Sequence, residues 1–194
     1  MSCRPAGVRS SSPRTLPACS RSGVAVTFRR LVDDDLPVLY RWLNEPGVMR
    51  WWEGEDVSWE GVVRDYGSGS RDSTEHWIAF VAGREIGWIQ CYPVADEPEE
   101  TERWWGMGVD RTAAGIDYLI GDPADRGHGL GSAMIRAFVV DVVFGLHPAW
   151  TQAWAAPYAG NVASWRALEK AGFRFAGLVW DKYGPCRLMV ADRR

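Results

Sequence analysis

No stretch of this 194-residue sequence approaches the roughly 20 consecutive apolar residues that cross a bilayer. The N-terminus carries Arg, Ser and Pro where a secretory signal would be apolar, so the expected compartment is the cytoplasm and no membrane partner is expected. Cysteine is scarce as well. Cys3, Cys19, Cys91 and Cys186 show no C-x-x-C or Cys/His ligand spacing, which argues against both a zinc module and a disulfide framework; they read as reduced thiols, Cys91 within a strand. His76, His128 and His147 form no ligand set, and no metal is expected. Also missing are G-x-x-x-x-G-K-[ST] and a G-x-G-x-x-G run after the first strand, which excludes a P-loop NTPase and disfavours a dinucleotide-binding fold. Lysine is nearly absent: Lys170 and Lys182 stand among 22 basic residues.

Charge is unevenly divided. Residues 1–23 hold four arginines and no acid, leaving a net charge of −7 on the remainder. An acidic body favours cationic partners and argues against nucleic acid. The same N-terminal segment is rich in Ser, Arg and Pro without periodicity, the composition of a chain that buries too little apolar surface to order itself. It is expected to be a disordered tail ahead of one domain, residues 24–194, of ordinary size. Monomer and homodimer are both compatible with the sequence.

Val24, Val26 and Phe28 alternate as a strand does, and Asp33–Asp35 supplies anions for the positive end of a helix reaching about Asn44. Glu45-Pro46-Gly47 should stop that helix, with a short second one near residues 59–66. Residues 76–81 and 85–92 read as a β-hairpin turning at Ala82-Gly83-Arg84. An acidic loop over 95–113 follows, then a strand over 115–121 and an amphipathic helix through Phe144. A strand at 151–155, a helix at 161–171 ending on Gly172, and two strands near 173–181 and 187–191 close the chain. This order implies an α/β fold, a mixed central sheet flanked by helices.

The strand over 115–121 runs directly into Arg126-Gly127-His128-Gly129-Leu130-Gly131 and then a helix. Free backbone N–H groups and a helix dipole would converge there on one small space, an arrangement that binds anions. Glycine suits such a loop because a Cβ would hold phosphates away and some positions need positive φ. An ordinary strand-to-helix turn is the competing reading.

The run resembles the pyrophosphate-binding signature of GNAT acetyltransferases, R/Q-x-x-G-x-G/A, here Arg126-x-x-Gly129-x-Gly131. A second matching element follows at the family's distance: Asn161-x-x-Ser164 on a helix that ends Glu169-Lys170-Ala171-Gly172-Phe173. The resemblance implies acetyl-CoA as acyl donor. It assigns the diphosphate to Arg126, Gly127, Gly129, Leu130, Gly131 and Ser132, and the pantetheine arm to Asn161, Ser164 and main-chain groups of Leu119 and Gly121. The pattern is similar, more narrowly, to aminoglycoside 6′-N-acetyltransferases through Leu39-Tyr40-x-Trp42-Leu43-Asn44, Trp51-Trp52-x-Gly54-Glu55, Tyr66, Gln90-x-Tyr92, Trp104-Trp105, Asp110 and Gly115-Ile116-Asp117, covering about residues 25–194. Siderophore acyltransferases share much of it, so a lysine-type N-acyltransferase and a catalytically degenerate acyl-CoA or drug binder are the alternatives.

In such an enzyme an amine attacks the thioester directly, so a base must accept the ammonium proton. Asp117 is the candidate base, with Asp110 as a second acid sharing that role or holding another ammonium. Trp51, Trp52, Tyr66, Gln90, Tyr92, Trp104 and Trp105 are the candidate acceptor-binding residues. Wide rings beside carboxylates suit a polycationic sugar, each cation–π contact contributing roughly 0.5–2 kcal/mol; core packing competes for each tryptophan. Glu97, Glu99, Glu100 and Glu102 form an acidic run that either attracts the cation or only stays solvated. Two departures stand out against the family pattern. Leu168 occupies the position of a Tyr that protonates the thiolate, leaving Tyr158 or water for that task, and Ala156 stands where the aminoglycoside enzymes have an Asp, leaving 6′ and 2′ amines both open.

Overall fold

The computed structural model describes residues 16–17, 24–52, 54–70, 73–96, 102 and 104–194. Alternation makes β2 (Val26–Arg30), whose Val26 and Phe28 are fully buried. The acidic triplet forms a 3-10 turn in which Asp35 takes both guanidinium nitrogens of Arg29, at 2.7 and 2.8 Å. α1 (Leu36–Leu43) then buries Leu36, Leu39, Trp42 and Leu43 as one helical stripe. Glu45-Pro46-Gly47 ends α1 as expected. Pro46 also opens a one-turn helix that the sequence reading lacked, α2 (Pro46–Met49), because proline fits the first helical position where its missing N–H costs nothing. α3 (Trp59–Tyr66) is capped by Ser58, whose hydroxyl accepts the Gly61 N–H at 3.1 Å.

β3 (Glu75–Val81) and β4 (Arg84–Pro93) form the expected hairpin, tightened to a two-residue turn with Ala82 and Gly83 both left-handed. That backbone twist is the one that matches paired strands. β5 (Ala113–Ile120) leads through the Gly-rich loop to α4 (Leu130–Phe138), which passes through a π-helical turn at Val139–Val143 into α5 (Phe144–Leu146). β6 (Gln152–Ala155), α6 (Val162–Ala171), β7 (Arg174–Trp180) and β8 (Pro185–Asp192) complete the chain. Within residues 1–23, β1 (Leu16–Pro17) pairs with β2, Leu16 opposite Phe28. The rest of that segment, including Cys3 and Cys19, lies outside the described residues, as do Glu97, Glu99 and Glu100; Glu102 is exposed.

Strand order is β1-β2-β3-β4-β5-β6-β8-β7, antiparallel except between β5 and β6. One face of the sheet carries Ile89, Cys91, Ile116 and Met189 under α4 and α6; the other carries Ile78, Trp88 and Leu119 under α1 to α3. The parallel pair determines where a ligand can enter. β5 and β6 stay in register only over Ala113–Gly115 and Gln152–Trp154. Beyond that β6 ends, while β5 continues to Ile120 with no strand partner on that side among the described residues. The open wedge exposes main-chain groups in mid-sheet. No described helix is long and apolar enough to cross a membrane.

Candidate active site

Two cavities meet in the wedge. One, about 510 Å³, is walled by α3, the site face of β4 and β5, and the Ala155–Tyr158 segment. The other, about 360 Å³, follows β5 toward the Gly-rich loop and α6. Trp51, Trp52, Tyr118, Asn161 and Ser164 border both.

The second cavity has the form of a cofactor groove. Gly127 and Gly129 take φ of 80° and 82°, and an added Cβ on either would meet open space. Left-handed backbone, rather than crowding, is therefore what selects glycine here. Gly129 is the N-cap of α4, so the N–H groups of the first turn, including Leu130, Gly131 and Ser132, have no intrahelical partners and form a cradle for phosphate oxygens. The Arg126 side chain folds back to donate to the carbonyls of Ile120 and Gly121 at 3.1–3.2 Å and pairs with Glu45. Arg126 thus also ties the loop to α2. Asn161 caps α6, its Oδ1 accepting the Ser164 N–H at 3.3 Å, which leaves its amide N–H groups free to face the groove.

The main-chain assignment shifts by one residue from the sequence reading. Gly121 N–H is taken by the Ile86 carbonyl, on the β4 side, whereas the Thr112 carbonyl accepts from Thr151, on the β6 side. Backbone direction alternates along a strand, so Tyr118 and Ile120 turn their amides to the wedge and Leu119 and Gly121 do not. Leu119 instead supplies buried side-chain contacts beside Trp88. The carbonyl of Gly121 is occupied by Arg126.

Asp117 lines the first cavity, next on β5 to Tyr118, which borders both. β4 and β5 pair Gln90 with Asp117 directly, and Gln90 Nε2 donates to Asp117 Oδ2 at 2.8 Å. The Tyr92 hydroxyl, two residues along β4, is a second donor. Gly115 is needed beneath it, since a Cβ there would run into the Tyr92 ring. Burial raises the Asp117 pKa from the ordinary carboxylate value, against the lowering by Gln90 and Tyr92. Across the cavity stand Glu55, Asp65 and Asp181, which the sequence reading did not single out as acids of the site. Glu55 is also raised, by desolvation and by the charges of Asp65 and Asp117. Asp181 accepts from the backbone of Tyr183 and Gly184 at 2.7 and 2.8 Å in the β7–β8 turn. An Asp-x-x-Gly turn has this same sequence signature whether or not it borders a site.

Of the aromatic candidates, Trp51, Trp52 and Tyr66 line the first cavity. Tyr92 and Trp104 line an adjoining one that shares Glu55, Asp117 and Asp181. Trp104 is buried edge-on against Trp154, with ring centroids 4.7 Å apart, so it packs and lines at once. Trp105 borders none of these cavities; Arg111 stacks on it at 4.3 Å. Asp110 is likewise not brought to the site. Its carboxylate caps the start of β5, accepting from Thr112 N–H and hydroxyl at 2.9 Å and from Thr151 at 3.2 Å, bonds that hold its pKa below the usual range. Leu168 is wholly buried in the core, whereas Tyr158 borders the cavity beside Asp117 and Ala156, with Trp51 6.5 Å away between ring centroids.

This geometry agrees with three comparisons. The acetyltransferase (GNAT) domain profile matches residues 32–180. The chain belongs to the GNAT acetyltransferases. As a GNAT protein it is an acetyl-CoA-dependent N-acetyltransferase. It is 32% identical over 179 residues, 90% of its length, to aminoglycoside N(6′)-acetyltransferase type 1 of Klebsiella pneumoniae, covering 87% of that protein. A kanamycin resistance protein of Rhizobium radiobacter is 35% identical over 95 residues, 49% of this chain and 86% of that protein. Among solved structures, AAC(6′)-Ib with paromomycin and acetyl-CoA superposes with a TM-score of 0.76 at 32% identity, over 87% of this chain and 93% of the other. The same enzyme with coenzyme A and kanamycin gives 0.74 at 31% identity, over 87% and 95%.

Proposed function

We propose that this GNAT enzyme acetylates a primary amine of an aminoglycoside antibiotic and thereby confers resistance, working in the cytoplasm where its acyl donor is made. The observation that carries the reading is the acid-lined cavity: Glu55, Asp65, Asp117 and Asp181 face one space that meets the cofactor groove along Tyr118, the residue after Asp117 on β5. A molecule with several ammonium groups is attracted by all four carboxylates, whereas a neutral or acidic acceptor gains nothing from them and leaves Asp117 with only Gln90 and Tyr92 as partners. The molecules bound in the similar AAC(6′)-Ib structures, kanamycin and paromomycin, belong to this class.

In this reading Asp117 takes a proton from the acceptor ammonium, freeing the nitrogen lone pair to attack the thioester carbonyl. Its raised pKa makes it a stronger base than a solvated carboxylate. Gln90 and Tyr92 orient the carboxylate. The nitrogen–carbon bond forms, the carbon–sulfur bond breaks, and Tyr158 or a water protonates the departing sulfur. A CoA thiol is a fair leaving group, with a reference thiol pKa of about 8.5, so a buried Leu168 does not prevent turnover.

Ala156 leaves one wall of the cavity without a carboxylate, which keeps both the 6′ and the 2′ amine as acceptor positions. A siderophore-type acceptor would call for an apolar channel; the carboxylate walls argue against it. Thiol release from acetyl-CoA, measured against kanamycin, tobramycin, kasugamycin and a lysine-derived acceptor, decides the matter. Release with an aminoglycoside is expected, and release only with the lysine-derived acceptor would move the enzyme to the other class.

A further inference from the structure

The histidines, which form no ligand set along the sequence, are resolved differently by the fold: His147 meets Glu75 and Cys91, residues 72 and 56 positions away. Glu75 and Cys91 are direct cross-strand partners on β3 and β4, so their side chains share one sheet face. That face is opposite the active site, because the neighbouring residue Gln90 points to Asp117 and side chains alternate along a strand. His147, just past α5, lays its Nε2 3.2 Å from Glu75 Oε2, and Cys91 Sγ is 3.8 Å from the same oxygen. All three atoms lie within 4.8 Å of one another.

We propose that Glu75, Cys91 and His147 bind one zinc(II) ion, a non-catalytic staple joining the C-terminal end of α5 to β3 and β4. Zinc bonds of about 2.3 Å to sulfur and about 2.0–2.2 Å to nitrogen and oxygen separate tetrahedral ligand atoms by roughly 3.3–3.6 Å, so the ligand atoms need move only a little. Sulfur, imidazole and carboxylate together suit zinc and disfavour magnesium or calcium, which take oxygen ligands.

The surroundings hold Glu75 and His147 in place, as outer partners do for metal ligands. Arg30 engages Glu75 Oε1 at 2.6 Å and stacks over Trp77 at 4.3 Å, leaving Oε2 for the ion. The His147 ring stacks on Trp150 at 3.8 Å, and its carbonyl accepts from Arg193 at 2.6 Å and from the Trp150 N–H at 3.0 Å. Glu75 and His147 are partly exposed while Cys91 is fully buried, so the ion enters from the solvent side and a water completes the tetrahedron. Cys91 gives its proton to solvent as its sulfur takes the metal.

The test uses the full-length chain stripped of metal by a chelator. Titration with cobalt(II), a spectroscopic stand-in, should saturate at one equivalent with a thiolate-to-cobalt charge-transfer band, and zinc(II) should displace it. Cys91→Ala should abolish the band. His147→Gln, at a partly exposed position that tolerates change, should weaken binding by more than the roughly 10–100-fold that loss of an outer partner costs, while Cys186→Ala binds as wild type. Circular dichroism and coenzyme A binding confirm that each variant is folded, and Glu75→Gln replaces His147→Gln if the latter is not. Zinc should raise the melting temperature of wild type and leave that of the ligand variant unmoved. Absence of a charge-transfer band, or wild-type affinity in the folded variants, would overturn the proposal.

Discussion

Asp117 and Asp110 lie seven residues apart on one stretch of chain, and their surroundings drive them in opposite directions. Asp110 accepts from hydroxyls and a backbone amide that favour its charge, while Asp117 is half-buried and desolvated with only Gln90 and Tyr92 to compensate. The sign of the pH dependence follows. A base whose pKa is raised becomes protonated at a higher pH than a solvated Asp, so kcat/KM should fall as pH drops, with a limb lying above the reference value of about 3.9. Asp117→Asn should lower kcat by about 10²–10⁴-fold, remove the limb and leave coenzyme A affinity unchanged; full activity would remove Asp117 from the role. Asp110→Ala should leave kcat near wild type and lower the melting temperature, since it deletes the bonds capping β5. Tyr158→Phe is expected to cost less than the roughly 10²-fold typical of a general acid, because the thiolate leaves readily without help. A larger loss in kcat would make Tyr158 the main proton donor.

At the scale of elements, the strands and helices were legible because their apolar residues repeat with periods of two or 3.6, and the burial of Val26 and Phe28, or of Leu36, Leu39 and Leu43, follows that pattern directly. The wedge was legible only through the motif on its rim. Nothing in β6 announces that its pairing with β5 ends at Trp154, since loss of register is a property of two strands together. For the same reason the cleft-facing amides were placed on Leu119 and Gly121: the side-chain pattern of β5 does not say which neighbour each amide faces. Glu55, Asp65 and Asp181 come from a rim loop, a helix and a hairpin turn, and each reads alone as an ordinary polar residue. The Gly-rich loop can be tested as an element. Gly129→Ala forces a left-handed L-residue at the N-cap of α4, which costs roughly 1–2 kcal/mol, so coenzyme A affinity should drop roughly 5–30-fold by calorimetry. The loss should show in Kd for the donor while the acceptor KM holds; a reversed pattern would detach the loop from the diphosphate.

For the whole molecule, the sign of the charge and the place where it gathers bear on the same question. The chain is acidic beyond its N-terminal arginines, and four carboxylates converge on one cavity while the cofactor groove beside it ends in backbone N–H groups and Arg126. Donor and acceptor of opposite charge would therefore be drawn to adjoining sites. Such long-range attraction is screened when the Debye length shrinks from about 10 Å at 0.1 M salt to about 3 Å at 1 M, and it scales with the charge of the incoming molecule. Raising salt over that range should lower kcat/KM for an acceptor with four or five ammonium groups far more than for a monoamine analogue, with kcat for both little changed. The comparison isolates the cavity, because any effect of salt on folding or on donor binding falls equally on the two acceptors. Equal salt slopes for the polyamine and the monoamine would mean that the acidic walls take no part in choosing the acceptor, and the selection would then rest on the shape set by Trp51, Tyr92 and Trp104.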